Sequence, residues 1–118
     1  MYKVVTIDQR KIPMKSNGCT GRLYARYFHK DFLQTLFKIN DLEKNDVDFE
    51  VINELAWVLA KTANPSIKDI DEWLEQFETP FSVINAMPQM MELLVKGGTS
   101  TVNAKKKVKE AKAQASTN

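Results

Sequence analysis

Short β-branched and aromatic runs open the chain, and helical spacings of three and four residues dominate the rest. Residues 2 to 7 (YKVVTI) and 11 to 15 (KIPMK) flank the polar turn Asp8-Gln9-Arg10. This order predicts an N-terminal β-hairpin. Pro13 is tolerated there because each strand of a two-stranded ribbon has a free edge.

The segment after the loop SNGCTG predicts two short helices. Thr20 is the expected N-cap of a helix through RLYARYF, in which Leu23 and Tyr27 are four residues apart. His29-Lys30-Asp31 either ends this helix or leads into the next one. The second helix has an apolar stripe of Phe32, Leu33, Leu36 and Phe37. Residues 40 to 48 (NDLEKNDVD) are the polar connection that follows.

Three further helices are predicted, at residues 48 to 61, 67 to 77 and 80 to 95. The expected N-caps of the three helices are Asp48, Ser66 and Thr79. Pro65 ends the first of them, because proline disfavours helical backbone at the residue before it. The first two should pack through one apolar set: Phe49, Ile52, Leu55, Leu59, Ile70, Trp73, Leu74 and Phe77.

The last predicted helix contains two prolines. Pro80 takes the expected first position, where the missing N–H is tolerated. Pro88 lies inside the apolar stripe, so we expect a kink or break between Asn85 and Pro88. The predicted fold class is α+β and mostly α: an N-terminal β-hairpin followed by a compact bundle of four to six helices. Residues 1 to 96 form one predicted globular domain.

Residues 59 to 77 (LAKTANPSIKDIDEWLEQF) have the spacing of a helix-turn-helix, which raises the question of DNA binding. From Ser66 to Glu78 the chain has one base, Lys68, and five acids: Asp69, Asp71, Glu72, Glu75 and Glu78. A recognition helix lies among phosphates and depends on Lys and Arg to release counterions. Phosphates would repel an acidic helix, so no nucleic acid is expected as a partner.

Length and composition are those of an ordinary globular protein. The chain has 118 residues, of which 43% are hydrophobic and 27% are charged. Its single cysteine excludes an intramolecular disulfide framework. No apolar run approaches the roughly 20 residues of a membrane span, and the start lacks the apolar segment of a signal peptide. We expect a soluble, intracellular protein that does not contact membranes.

The net charge of +2 hides a basic C-terminal tail. Residues 104 to 118 contain five lysines and one acid, so the preceding 103 residues sum to −2. Such a tail can contact nucleic acid or membranes. A solvated end is the simpler interpretation, since the tail has little apolar surface with which to pack. We expect residues 97 to 118 to be flexible or a loosely attached helix, with Gly97-Gly98 as a hinge.

Candidate chemistry is sparse. His29 and Cys19 are the only histidine and cysteine, whereas a zinc site needs about four N or S ligands and a Cys–His pair needs an orienting partner. We expect a structural or surface histidine and a small loop thiol. Gly97-Gly98 follows a helix and lacks the spacing of a phosphate loop. The sequence predicts no catalytic site, no metal site and no cofactor, and we do not expect an enzyme.

The order of elements resembles a known family. The hairpin ending in KIPMKS is followed by GRLYARYFHKDFLQTL, then by VDFEVINELAWVLAKTANPSIKDIDEWLEQFE and TPFSVINAMPQMMELL. Over residues 1 to 96 this arrangement is similar to the tail assembly chaperones of long-tailed, siphovirus-type phages and prophages of Gram-positive bacteria. The resemblance implies a protein that binds the tape-measure protein, keeps it soluble and helps tail-tube proteins assemble around it. It also implies residence in the host cytoplasm and absence from the mature virion.

The resemblance also bears on particular residues. Aromatic and methionine side chains suit an adaptable apolar groove for partner helices. The candidate contacts are Trp57, Trp73, Phe81, Met87, Met90 and Met91. A plain core is the alternative for most of them. Many such chaperones are made in two lengths by ribosomal frameshifting, and the candidate frameshift region here is Lys105, Lys106 and Lys107.

Two other functions stay open at this point. A small helix-turn-helix-like DNA-binding regulator would use the spacing of residues 59 to 77 and the basic tail, although the acidic second helix opposes it. A minor structural virion or connector protein would need no enzyme chemistry either. Self-association is compatible with all three functions.

Overall fold

The N-terminal hairpin forms as predicted. In this computed structural model, which describes residues 1–40 and 48–96, strands β1 (Tyr2–Ile7) and β2 (Arg10–Lys15) pair antiparallel. The turn contains only Asp8 and Gln9, with φ of 52° and 65°, so Arg10 belongs to β2. Two consecutive positive φ angles are typical of the type I′ turn, which matches the twist of the strands.

One face of the hairpin is buried and the other faces solvent. Val5, Ile7, Ile12 and Met14 point into the core, as the two-residue period of a strand requires. Met1 and Ser16 form a hydrogen-bonded backbone pair beyond the strands. Because bonded and non-bonded pairs alternate in an antiparallel ladder, Pro13 falls in a non-bonded pair. Its missing N–H therefore lies at the free edge and removes no bond between the strands.

Helices α1 (Thr20–Phe28) and α2 (Phe32–Asn40) follow the hairpin. The expected cap at Thr20 is wrong: α1 has Cys19 in the N-cap position, without a side-chain cap. The buried Thr20 hydroxyl instead accepts the N–H of Asn17 at 2.9 Å. His29 ends α1 with a left-handed φ of 56°, so the alternative in which this segment separates two helices is confirmed.

Helix α3 (Phe49–Ala63) is the central element of the core. Its predicted cap is confirmed, because the Asp48 carboxylate accepts the N–H groups of Glu50 and Val51. The helix packs against β2, α1 and two short helices that follow it, α4 (Ile70–Leu74) and α5 (Ser82–Asn85). Its buried apolar positions include Ile52, Leu55, Ala56 and Leu59. The predicted core position of Phe49 is wrong, since this side chain is 41% exposed.

Helix α4 spans only Ile70–Leu74, so the predicted helix at 67 to 77 is too long. Its N-cap is Asp69, whose carboxylate accepts the N–H of Glu72 at 2.8 Å. The expected cap Ser66 instead donates its hydroxyl to the Asn64 side chain at 2.6 Å. Trp73 is buried as predicted. Three other predicted core residues of this segment are half-buried against the core: Ile70, Leu74 and Phe77.

The predicted helix at 80 to 95 is divided. It forms α5 (Ser82–Asn85), α6 (Met87–Met91) and a π-helical turn (Glu92–Lys96). The predicted break between Asn85 and Pro88 is confirmed, because Ala86 separates α5 from α6. Pro80 precedes α5 and is not its first residue.

The architecture is α+β and mostly α, with the hairpin lying on α3 and the short helices around it. The described core extends along the chain from Val5 to Leu94. Most of the predicted connection at 40 to 48 lies outside the described residues. The predicted tail at 97 to 118 also lies outside the described residues. It includes the predicted hinge Gly97-Gly98 and the frameshift candidates Lys105, Lys106 and Lys107.

Candidate partner-binding surface

The single cysteine and the single histidine of the chain lie on the surface. Cys19 is exposed at the start of α1, and His29 is exposed at its end. Within residues 1–40 and 48–96, no group of three His, Cys, Asp or Glu side chains is arranged to hold a metal ion.

The six candidate contact residues separate into a core set and a surface set. Trp57, Trp73, Met87 and Met90 are buried, which is the core alternative that the sequence left open. The Trp57 indole N–H also donates to the Lys68 carbonyl at 2.9 Å. Met91 is half-buried. Phe81 is 56% exposed.

Phe81 forms an aromatic pair with Phe49 at the surface. The two ring centroids are 5.4 Å apart and the ring planes meet at 76°, which is an edge-to-face contact. Phe49 is the first residue of α3, and Phe81 immediately precedes α5. Edge-to-face pairs are favourable for aromatic quadrupoles. The arrangement therefore leaves two large rings in solvent in a defined orientation, which we call the Phe49–Phe81 surface.

A cleft adjoins this aromatic pair. It has a volume of about 270 Å³ and is lined by Asn53, Leu74, Phe77, Glu78, Thr79, Pro80 and Val83. Asn53 lies one helical turn after Phe49, and Pro80 directly precedes Phe81. Phe77 is held against the core by an edge-to-face contact with Trp73, with 5.0 Å between centroids. The cleft thus has a mixed lining, in which Leu74, Phe77, Pro80 and Val83 are apolar and Asn53, Glu78 and Thr79 are polar.

The loop that lines this cleft is tied to the hairpin turn. The Asp8 carboxylate accepts the backbone N–H of Glu78 at 2.8 Å. That bond is the main cause that lowers the pKa of Asp8 below its ordinary value of 3.8; the Ser82 hydroxyl and then the Arg10 charge act in the same direction. A charged carboxylate on a backbone N–H is a strong hydrogen bond. It holds the Glu78 end of the cleft in place.

Among the described residues, acids are concentrated in two segments: one contains Phe49, and the other ends at the cleft. Residues 48 to 50 and 69 to 78 contain acids but no lysine or arginine. These acids are Asp48, Glu50, Asp69, Asp71, Glu72, Glu75 and Glu78. Lys68, immediately before the second segment, pairs with Glu72 at 3.6 Å. Arg10 approaches from the hairpin turn, where it lies near Asp8.

A second, larger groove lies at the open end of the hairpin. Its volume is about 630 Å³, and its apolar lining includes Met1, Phe32, Leu33, Leu36, Leu93 and Leu94. Leu36, Leu93 and Leu94 are themselves buried, and Phe32 and Leu33 are half-buried. The outer face of the hairpin also exposes Tyr2 and Val4. Neither the larger groove nor the outer face of the hairpin has a pair of exposed rings in contact beside a cleft.

Phe49 and the cleft are the parts of this site that sequence reasoning missed. The helical period places Phe49 on the same side of α3 as Ile52 and Ala56. That side is buried where neighbouring elements cover it, and Phe49 lies at the end of the helix. The sequence feature that could have indicated the exposure of Phe49 is its position directly after the Asp48 cap, at the first residue of α3.

Comparisons with known proteins give no match to a protein-family model, to a curated protein or to a solved structure. No helix in the described part of the chain has the length and apolarity needed to cross a membrane.

Proposed function

We propose that this chain is a phage tail assembly chaperone that binds the tape-measure protein, keeps it soluble in the host cytoplasm and helps tail-tube subunits assemble around it. The motifs and element order over residues 1 to 96 support the proposal by resemblance. The observation that carries it is the Phe49–Phe81 surface: two contacting phenylalanine rings, 41% and 56% exposed, beside a cleft with both apolar and polar walls.

An exposed aromatic pair favours a binding function over a purely structural one. Large aromatic side chains supply much of the energy of protein interfaces when a partner excludes water from them. Amphipathic helices commonly place apolar side chains into such grooves. A tape-measure protein is long and helical. Its apolar helix surface must be shielded from water until the tail tube encloses it. The chemistry of the two surfaces is therefore complementary.

DNA regulation is less well supported. The second helix of the helix-turn-helix-like segment is α4, which has only five residues, Ile70–Leu74. Its first turn carries Asp71 and Glu72. So short and acidic a helix is poorly suited to contact the phosphates and bases of a major groove.

Co-expression tests the proposed function. We expect the wild-type chain to move a co-expressed tape-measure protein from the insoluble to the soluble fraction and to co-purify with it. An unrelated small helical protein expressed to the same level is the control. An insoluble tape-measure protein in the presence of this chain would contradict the proposal.

The composition of purified virions separates the chaperone from a minor structural or connector protein. An assembly chaperone leaves before the particle is complete, so quantitative mass spectrometry of virions should find this chain below one copy per particle. A fixed stoichiometric amount in every virion would instead identify a structural component.

A further inference from the structure

We infer that the Phe49–Phe81 surface binds an amphipathic helix whose apolar stripe is flanked by lysine or arginine residues. This inference rests on the proposed function, because it takes the aromatic pair to be a partner contact. It goes further by specifying the chemistry of the partner segment. The occupant is a helix of another protein, with basic side chains on both sides of its apolar anchors.

Two acids lie beside the rings or in the adjoining cleft. Glu50 directly follows Phe49, and Glu78 lines the cleft that Phe81 adjoins. Both residues are exposed. A helix seated on the rings would bring its flanking side chains close to these carboxylates. Basic flanks would form favourable pairs there, whereas acidic flanks would be repelled.

Few bases of the described residues lie in or next to the segments that carry these acids. Lys68 lies at the start of the acidic segment and pairs with Glu72. Arg10 lies near Asp8 at the hairpin turn. Within residues 48 to 50 and 69 to 78 there is no base at all. Glu50 beside Phe49 and Glu78 in the cleft therefore favour a basic partner.

The strand edges of the hairpin favour a helical partner over an extended one. An extended segment would need an open strand edge, and the hairpin offers poor ones. The Gln89 side chain bonds both the N–H and the carbonyl of Thr6 on β1, at 2.9 and 3.2 Å. The β2 edge carries Lys11, Pro13 and Lys15, the residue types that protect edges from strand addition. A helix in the cleft needs no such edge.

Two labelled helical peptides test the inference. They share one apolar stripe and differ only in the flanking residues, which are lysines in one and glutamates in the other. We expect the lysine peptide to bind the full-length chain about tenfold more tightly at low salt, as a few exposed ion pairs would provide. The preference should shrink as salt is added, because surface charges are screened. Fluorescence anisotropy measures both affinities.

Matched charge variants locate the preference. Glu78→Lys should abolish the advantage of the lysine peptide, since Glu78 lines the cleft. Glu72→Lys makes the same change of charge on the same acidic segment, but Glu72 does not line the cleft, so it should keep most of the advantage. Equal loss in both variants would show a general charge effect and overturn the inference, as would equal binding of the two peptides to the wild-type chain.

The result is independent of the co-expression result. If the lysine peptide shows no preference while the tape-measure protein is still kept soluble, the inference fails and the proposed function stands. If the preference appears and depends on Glu78 while the tape-measure protein stays insoluble, the partner chemistry stands and the proposed function fails.

Discussion

A buried carboxylate joins three segments of the chain at the residue scale. Glu54 on α3 is 5% exposed. Its Oε1 atom accepts hydrogen bonds from the Tyr24 hydroxyl at 3.2 Å and from the Lys30 ammonium at 2.9 Å. A buried charge is strongly destabilising unless it is paired and hydrogen-bonded. These two donors therefore fix α1 and the α1–α2 connection against the central helix.

Tyr24 makes stability depend on pH in the alkaline range. Burial is the main cause that raises the pKa of its phenol from 10.0 to about 12, and the Glu54 carboxylate acts in the same direction. In the unfolded chain the phenol ionises near its ordinary value. The contribution of the neutral phenol to stability is therefore full below about pH 10 and is lost as pH rises toward 12.

We predict that the free energy of unfolding falls between about pH 10 and 12 and that Tyr24→Phe reduces this fall. Urea titrations at several pH values within this window measure it. Tyr27→Phe is the matched control, because Tyr27 lies on the same helix and is 46% exposed. An equally steep fall in Tyr24→Phe and in the wild-type chain would show that other groups control alkaline stability.

At the scale of elements, the start of α4 shows how packing shortens a helix. The Ile67 carbonyl accepts from the Lys61 ammonium at 2.7 Å, and the Lys68 carbonyl accepts from the Trp57 indole at 2.9 Å. Both donors lie on α3. Bonds from α3 side chains thus satisfy two carbonyls that a longer helix would use internally. Asp69, with an extended backbone, then becomes the cap.

Two alanine variants distinguish the observed cap from the predicted one. Asp69→Ala should lower the free energy of unfolding by about 1 kcal/mol, since it removes the side-chain acceptor of the first turn. Ser66→Ala should change it by less than about 0.5 kcal/mol, because Ser66 is exposed and caps no helix. Thermal or urea unfolding measures both. If Ser66→Ala lowers the free energy of unfolding more than Asp69→Ala does, the result would support the predicted helix start after Ser66.

Local patterns predicted much of the fold. Tertiary contacts account for the errors at α4 and at Phe49, whereas Thr20 and Ser66 form local hydrogen bonds instead of capping a helix. The hairpin, the Asp48 cap and the break near Pro88 depend on a few neighbouring residues, so the sequence was sufficient for them. The extent of α4 depends on donors from α3, which periodicity does not include. Phe81 was predicted as a contact. Its pairing with Phe49 was not, because it depends on how the α4–α5 connection packs beside the start of α3.

At the scale of the whole molecule, charge separates into two regions of the described surface. The hairpin and α1 carry exposed bases: Arg10, Lys11, Lys15, Arg22 and Arg26. Acids are concentrated in and after α4 and at the start of α3, which contains Phe49. The small net charge of the chain conceals this separation. Such a distribution can orient a charged partner before apolar contact is made.

Under the proposed function, the Phe49–Phe81 surface holds the tape-measure protein in solution. The most direct test compares Phe49→Ala/Phe81→Ala with Tyr2→Thr, which removes an aromatic ring of 61% exposure from the hairpin. The contact between the two phenylalanine rings is worth about 0.5–1.5 kcal/mol beyond the apolar area that they bury. Because the rings are 41% and 56% exposed, the double variant should remain folded.

The measurement is the amount of co-expressed tape-measure protein that co-purifies with each variant, with circular dichroism as the check of folding. We predict that the wild-type chain and Tyr2→Thr retain the tape-measure protein and that the folded double variant loses most of it. A folded Phe49→Ala/Phe81→Ala protein that co-purifies with as much tape-measure protein as the wild-type chain does would contradict the account.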